Sequence, residues 1–377
     1  MAAGSTSRSR AAALRVREAT PDDPAWLDFV EHESRALIYH HPAWLEVLRR
    51  EYSQDAICLI CEDADKTVSG ILPAVYTRGL PLGIGGELTA RRLSSLPRTP
   101  IAGPLARNTR VMTALLGAAV ERIDGENGRQ LQLKVAGPEL DGMVNDVVGK
   151  PWRESYLLSL PSRGEDLRFG DARNHARITW SIRRAAKLGV RVREAEKEKE
   201  LRSWYNLYLE TMRLHVVPPR PYRLFAAMWD ILRPLGSMRL LLAERCEGSE
   251  ASLVAGIVLL MFGKTVFYAF AGARREALSL RPNEMLHWQA IHDASQGGFT
   301  RYDLGEVGES NRGLAEFKAK WGTETYWLYR YYYPRSANEG SSNGRIGDRA
   351  LTIASAAWRR LPLRATELLG NRIYGYL

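Results

Sequence analysis

Met238-Arg239-Leu240-Leu241-Leu242-Ala243-Glu244, followed after a polar hairpin by Leu253-Val254-Ala255-Gly256-Ile257-Val258-Leu259-Leu260, reads as two buried strands. Each run is short and apolar and is bounded by turn-forming positions. The pattern occurs once before: Ile57-Cys58-Leu59-Ile60-Cys61-Glu62, a polar hairpin, then Val68-Ser69-Gly70-Ile71-Leu72-Pro73-Ala74-Val75-Tyr76. A helical stretch precedes each copy, Pro42 to Glu51 and Tyr222 to Leu232. A helix and a strand follow each: Val111 to Ile123 with Leu131 to Val135, and Asn283 to Ser295 with Arg301 to Leu304. Such a repeat implies two related α/β halves, each a mixed sheet flanked by helices.

The chain has 377 residues, beyond the roughly 250 to 300 at which a single core stops growing. The expected division is an arm over 1–13, a first half over 14–165, a second half over 166–335, and a linker with a helical tail over 336–377. Asn174 to Leu188 is helix-like and ends at Gly189 as a C-cap would. Leu253 to Gly272 is apolar enough to raise the question of a membrane span. Gly263-Lys264-Thr265 interrupts it, and the surrounding Val, Phe and Tyr favour two strands joined by a tight turn. The tail carries Leu351, Ile353, Trp358, Leu361 and Leu363 beside Arg349, Arg359, Arg360 and Arg364. This basic amphipathic pattern suits either peripheral contact with an anionic membrane or docking on the body.

A formal charge of +10 favours an anionic partner, and tRNA, a phosphorylated carrier and an anionic lipid surface satisfy it alike; no DNA is expected. Cys58, Cys61 and Cys246 have no disulfide-like spacing, and Cys58 and Cys61 lie in an apolar run with no second Cys/His pair. No metal site is therefore expected. The expected location is cytoplasmic, peripheral to the inner membrane if the tail binds lipid.

Ligands in α/β sheets bind beyond the carboxyl ends of strands, and two such junctions lie close together. After Val266 to Phe270 comes Ala271-Gly272-Ala273-Arg274-Arg275, then Arg281-Pro282-Asn283 opening a helix. Gly272, Arg274, Arg275, Arg281 and Asn283 are the expected phosphate or pyrophosphate cradle, because a helix start offers free N–H groups and a positive dipole end. Asn283 also suits a plain capped helix start. At Tyr302-Asp303-Leu304-Gly305-Glu306 a strand ends between two carboxylates, either able to take a proton from an amine. Asp303 can equally be a turn residue. In Arg312 to Gly322, Leu314, Phe317 and Trp321 form an apolar stripe with Glu316 and Lys320 opposite and Lys318 at its edge. Lys318 suits an oxyanion or phosphate, or a stem lying on the core with its head in solvent.

The order Arg281-Pro282-Asn283-x-x-Leu286-His287-Trp288-x-x-Ile291, Gly298, Tyr302-Asp303-Leu304-Gly305 and Gly313-Leu314-x-x-Phe317-Lys318-x-x-Trp321-Gly322 resembles the Fem family of peptidoglycan-bridge aminoacyl transferases and related acetyltransferase-like proteins of envelope and exopolysaccharide gene neighbourhoods. Arg183-Arg184-Ala185-Ala186-Lys187-Leu188-Gly189-Val190 resembles that family's link into its second half. The resemblance implies an α/β fold of two tandem GNAT-like domains. It also implies transfer of an acyl group from acyl-CoA or an aminoacyl-tRNA to an amine on an envelope saccharide or peptide. Lys318 matches the family's Phe-Lys pair, placed near the reacting groups. Lys318, Asp303 and Glu306 are thus the expected catalytic residues, with Trp288, Phe317 and Trp321 as substrate contacts. The chain lacks room for the long helical arm of some bridge-forming members, and its 272–283 loop lacks the glycine-rich pyrophosphate pattern. The basic set Arg177, Arg183, Arg184, Lys187, Arg191 and Arg193 suits tRNA. A scaffold that keeps the fold without activity is the alternative from another class.

Overall fold

The computed structural model describes residues 14–52, 56–79, 91–125, 129–161, 167–339 and 348–376; the expected arm over 1–13 and most of the linker lie outside them. The first half contributes β1 (Arg15–Ala19), α1 (Pro24–His32), α2 (Pro42–Tyr52), β2 (Ile57–Glu62), β3 (Val68–Thr77), β4 (Arg92–Ser94), β5 (Leu105–Ala106), α3 (Thr109–Asp124), β6 (Gln130–Ala136) and β7 (Val148–Ser159). The second contributes α4 (Ala172–Lys187), β8 (Val190–Glu194), α5 (Glu198–His215), α6 (Tyr222–Ile231), β9 (Met238–Glu247), β10 (Glu250–Phe262), β11 (Thr265–Ala273), α7 (Pro282–Gln296), β12 (Arg301–Val307), α8 (Arg312–Ala319) and β13 (Glu324–Tyr333). The short α9 (Ser336–Glu339) and the tail helices α10 (Asp348–Arg360) and α11 (Leu363–Tyr374) follow.

Period-two burial sorts the strands into layers. Leu240 and Leu242 of β9, with Val258 and Leu260 of β10, enter a core built with Trp26, Trp44, Trp204 and Phe225 from α1, α2, α5 and α6. Leu241, Ala243, Ile257 and Leu259 enter another, beneath Ile178 of α4 and Leu286 of α7. A third core lies under Leu115 and Leu116 of α3. Cys58 and Cys61, an odd number of residues apart on β2, face different cores, and both are free thiols. Side-chain caps fix helix starts: Asn108 accepts from Val111 N at 3.0 Å and Asp171 from Asn174 N at 2.7 Å, each satisfying one otherwise unpaired donor.

The two halves share one mixed sheet in the order β1-β2-β3-β4-β6-β13-β7-β12-β11-β10-β9-β8, with β5 beside β3. The last strand, β13, is inserted between β6 and β7, antiparallel to both. β7, which precedes the sequence-derived boundary at 165/166, also pairs with β12. The halves are therefore joined by continuous backbone hydrogen bonding. The Gly263-Lys264 turn joins β10 to β11 as read from the sequence, and among the described residues no helix is long and apolar enough to cross a membrane.

The tail docks on the body. Thr366 is fully buried, Arg213 Nη1 donates to Leu361 O at 3.0 Å, and Tyr374 OH donates to Pro218 O at 3.3 Å. Leu368 and Leu369 stay exposed, at 68% and 41%.

Gly272 sits where β11 passes under α5: a Cβ there would lie 2.5 Å from Tyr208 N and 2.8 Å from Leu207 C, both backbone atoms. Gly272→Ala should cost about 1–3 kcal/mol, because neither helix nor strand can yield without repacking. The check is the urea midpoint at unchanged m-value; wild-type stability would exclude this packing role.

Candidate active site

β11 and β12 run parallel and pair only at Thr265–Arg301, Val266–Tyr302 and Phe267–Asp303. Both continue, to Ala273 and Val307, so the strands splay apart beyond Phe267 and Asp303. Among the described residues, the edge of β11 facing the gap then has no strand partner. Gly305 forms the far lip. Its φ of +79° lies in the left-handed region that glycine enters without penalty, and the β12–β7 register slips between Asp303 and Gly305.

Lys318 reaches this gap from α8. The helix is short, capped by Asn311 Oδ1 accepting from Leu314 N at 3.2 Å, and Lys318 is its one fully buried residue. Its Nζ donates to Gly305 O at 3.0 Å and Glu306 O at 3.1 Å, leaving one ammonium proton uncommitted. The head is 3% exposed as a residue, so the stem-on-core, head-in-solvent reading does not apply. Burial pushes its pKa down to about 8, with Glu306 and Asp303 pulling the other way. Lys320, expected on the outer face, turns back to Glu284 at 3.1 Å, because α8 ends at Ala319.

Asp303 anchors the lip. Its Oδ1 accepts from Gly305 N at 2.7 Å and Ser155 Oγ at 3.3 Å, and its Oδ2 accepts from Tyr326 OH at 2.8 Å. Burial raises its pKa, while the Gly305 and Tyr326 hydrogen bonds work against the rise. Glu306 is the more open carboxylate: its side chain is 26% exposed, and its ion-pair partner is Arg153 at 3.8 Å. Glu306 of β12, Ser155 of β7 and Tyr326 of β13 are register neighbours across three strands. They line a cavity of about 220 Å³ between the halves, with Tyr39, Trp44 and Arg220 opposite. Trp44 Nε1 and Thr99 Oγ1, also on this cavity, are buried with no hydrogen-bond partner among the described residues.

The remaining expected residues are dispersed. Trp321 is fully buried, 5.0 Å from the Phe169 ring and 5.6 Å from His287, a core position rather than a cavity wall. Phe317 packs on His287 at 5.5 Å and Trp288 stacks on His292 at 5.4 Å. Arg274 and Arg275 are exposed, with Arg274 Nε donating to Leu253 O at 3.0 Å. Arg281 caps α7 in a left-handed conformation, with its guanidinium 3.7 Å from Glu284 and 6.0 Å from the Trp180 ring. Asn283 lies half-buried in the first turn of α7. None of these five cradle residues lines the cavity between the halves. His287, within the recognised motif but assigned no role from sequence, lies beneath the gap with Nδ1 3.1 Å from Tyr302 OH. Burial, with Lys318 and Lys320 nearby, lowers its pKa to about 3, so it is a neutral ring. Sequence reasoning missed Ser155 and Tyr326, which β7 and β13 bring to Asp303 from 148 and 23 residues away, and Tyr39, Trp44 and Arg220, which reach the cavity from segments outside those strands.

Among the described residues no cluster of His, Cys, Asp and Glu could hold a metal. A family model described as "Acetyltransferase (GNAT) domain" matches residues 172–319. No curated protein matches the chain in sequence. Among solved structures, FemX superposes with a TM-score of 0.63 at 15% identity, over 86% of this chain and 99% of FemX. The L-PGS of Bacillus licheniformis superposes with a TM-score of 0.53 at 13% identity, over 91% of this chain and 98% of that one. The C-terminal DUF2156 domain of a putative lysylphosphatidylglycerol synthetase from Agrobacterium fabrum gives 0.53 at 13%, over 88% and 95%. Residues 172–319 thus match the GNAT acetyltransferase domain, and the chain as a whole has the fold seen in FemX.

Proposed function

We propose that the chain is an N-acyltransferase that moves an acyl group from an activated carrier, acyl-CoA in the first instance, to an amine on a cell-envelope saccharide or peptide. The observation that carries this reading is the buried Lys318 ammonium at the β11–β12 gap, linked through Gly305 to Asp303. The unpaired edge of β11 offers backbone donors and acceptors to an amide-bearing carrier arm. Arg281 at the start of α7 suits its phosphates. The name of the Agrobacterium fabrum neighbour, a putative lysylphosphatidylglycerol synthetase, and the Fem-type motif support an envelope acceptor. Three free thiols suit a cytoplasmic setting.

In this reading the neutral amine attacks the carrier's acyl carbon, the N–C bond forms, and the thioester C–S bond breaks. The proton lost by nitrogen passes to Glu306, and the leaving thiolate is protonated from solvent. Lys318 offsets the negative charge that develops on the carbonyl oxygen. Glu306 is the base because all three hydrogen bonds to Asp303 already hold protein groups in place; Asp303 is a positioning residue that fixes Gly305 and hence Lys318. No covalent enzyme intermediate is needed.

A second reading takes aminoacyl-tRNA as donor, breaking an ester C–O bond instead. Its support is the outer face of α4, where Trp180 is 53% exposed and lies 5.5 Å from the Arg184 guanidinium. An exposed aromatic ring among arginines suits a stacked terminal base. Turnover of acetyl-CoA with bulk envelope amines, measured against turnover of charged tRNA, separates the two. No turnover with either would favour a scaffold.

Lys318→Ala should lower kcat/KM by about 10²–10³-fold, the usual cost of one charge-stabilising donor, without changing the circular dichroism spectrum. An undiminished rate in the folded variant would remove Lys318 from the mechanism. The ammonium is charged below its pKa of about 8 and is lost above it. Activity should therefore fall as pH rises through about 8, and Lys318→Arg should move that alkaline limb upward, since guanidinium does not titrate there. A limb indifferent to the substitution would assign it to another group.

A further inference from the structure

From Arg349 to Leu377 the sequence holds one side-chain carboxylate, Glu367, among five arginines. Helical spacing decides where each of them goes in α11. Thr366 and Gly370 are buried on the face turned to the body, where a Cβ at Gly370 would strike Pro219 O, and Leu363 packs against the core shared by α5 and α6. Glu367 is turned back toward α5, 3.9 Å from Arg202. Arg364, Leu368 and Arg372, four residues apart, form the outer face with Leu369 beside them, and all four are exposed. Among the described residues no carboxylate pairs with Arg364 or Arg372, and Leu368, at 68%, is the most exposed large apolar side chain. Arg360 is exposed at the turn from α10 into α11.

This face belongs to a fixed element. Arg213 Nη1 donates to Leu361 O at 3.0 Å and Arg359 Nε to Leu214 O at 3.2 Å, which pins the turn between the two tail helices to the end of α5. At the other end Tyr374 O accepts from Arg98 Nη2 at 2.9 Å. The Tyr374 ring centre lies 4.7 Å from the Arg98 guanidinium carbon and 5.1 Å from that of Arg220. Both arginines line the cavity beside Asp303. Leu368 and Tyr374 are separated by about 9 Å of helix rise, so the outer face of α11 is tied to the wall of the cavity. A single exposed leucine is ordinary. Two in succession, flanked on their own face by arginines that meet no carboxylate, are the pattern of a helix that lies in an interface.

We propose that α11, with Arg360 at the end of α10, is the surface by which the protein docks on an anionic lipid bilayer. The arginines call for an anionic partner. A second copy of the same face would bring Arg364 and Arg372 against their own equivalents, and a nucleic acid would engage the arginines while leaving the leucines without the stacking that aromatic rings provide. An anionic bilayer takes both: lipid phosphates pair with the guanidinium groups, and the leucines enter the boundary of the acyl chains. That the cavity thereby meets amines presented at a lipid surface rests on the reading of the protein as an envelope transferase; the docking itself does not.

Flotation of the full chain with vesicles of phosphatidylcholine alone, and of phosphatidylcholine mixed with phosphatidylglycerol, tests the surface without any turnover. The expected result is binding to the mixed vesicles only, weakening as sodium chloride is raised. Arg364→Gln and Arg372→Gln should each weaken it about five-fold, the contribution of one basic residue near an anionic leaflet. Leu368→Asn combined with Leu369→Asn keeps every charge and should weaken it at least as much. Its Tm should match that of the wild type, and Arg364→Gln carries the test if the leucine variant does not fold. Equal binding to both kinds of vesicle overturns the proposal. So does binding to the mixed vesicles that survives all these substitutions, which would place the contact elsewhere on the basic chain. A concentration-dependent dimer that the leucine variant dissolves assigns the face to a second copy and overturns it too. Vesicle binding that depends on these residues, in a protein inactive with every donor, would overturn the transfer reading and leave this surface standing; turnover without vesicle binding would do the reverse.

Discussion

The insertion of β13 between β6 and β7 is the constraint on which the rest depends. It closes one sheet across both halves through hydrogen bonds on both edges of a single strand. The same pairing places Tyr326 on Asp303 and Arg330 opposite Lys134. The second contact crosses the halves, and the first is bridged by β7 of the first half, which pairs with both β12 and β13. Slipping β13 by one residue would turn both side chains to the other face, and Tyr331 would leave the α3 core. The apolar packing of Tyr331 and the polar assembly of the cleft are thus set by one register.

The cleft that results is polarised. At one end Glu306, Ser155 and Tyr326 stand side by side around Asp303; at the other lie Lys134 and Arg330, and Arg98 and Arg220 line both. Low-dielectric walls strengthen such a field relative to water. A ligand with a positive and a negative end has one favourable orientation in such a field, its positive end toward Glu306. Orientation of this kind is a large part of what a transferase without a covalent intermediate has to supply.

The fold was legible because apolar runs of the right length repeat in the same order in both halves. The runs at 57–62 and 68–76, and those at 238–244 and 253–260, all appear as strands, and the helices at 42–51, 222–232 and 283–295 fall within a few residues of their expected bounds. The position of β13 was not legible. Its sequence, Glu324 to Tyr333, is aromatic on both faces, so alternation gives no sign of which face is buried or which strands flank it. Lys318 could be found because helical spacing put it near an apolar stripe. Lys134 could not, although Leu131, Leu133 and Val135 alternate around it clearly. A polar residue on the second face of a strand reads as solvent-facing, and only the strand inserted beside it makes that face an interior.

Lys318 and Lys134 show how one residue type acquires opposite characters from its surroundings. Each is almost fully buried, and each donates to backbone carbonyls. Lys318 has Asp303 and Glu306 within electrostatic reach, so its charge is held to about pH 8. Lys134 has arginines around it, so its charge is opposed by every neighbour that shifts it besides burial. A lysine kept only for stability would be replaced to advantage by Met or Leu at the second position, since a buried cation among cations stabilises nothing. At the first position the paired carboxylates already make the ammonium tolerable in the empty protein. The difference lies wholly in the surroundings: carboxylates uphold the charge of Lys318, and burial among arginines opposes that of Lys134.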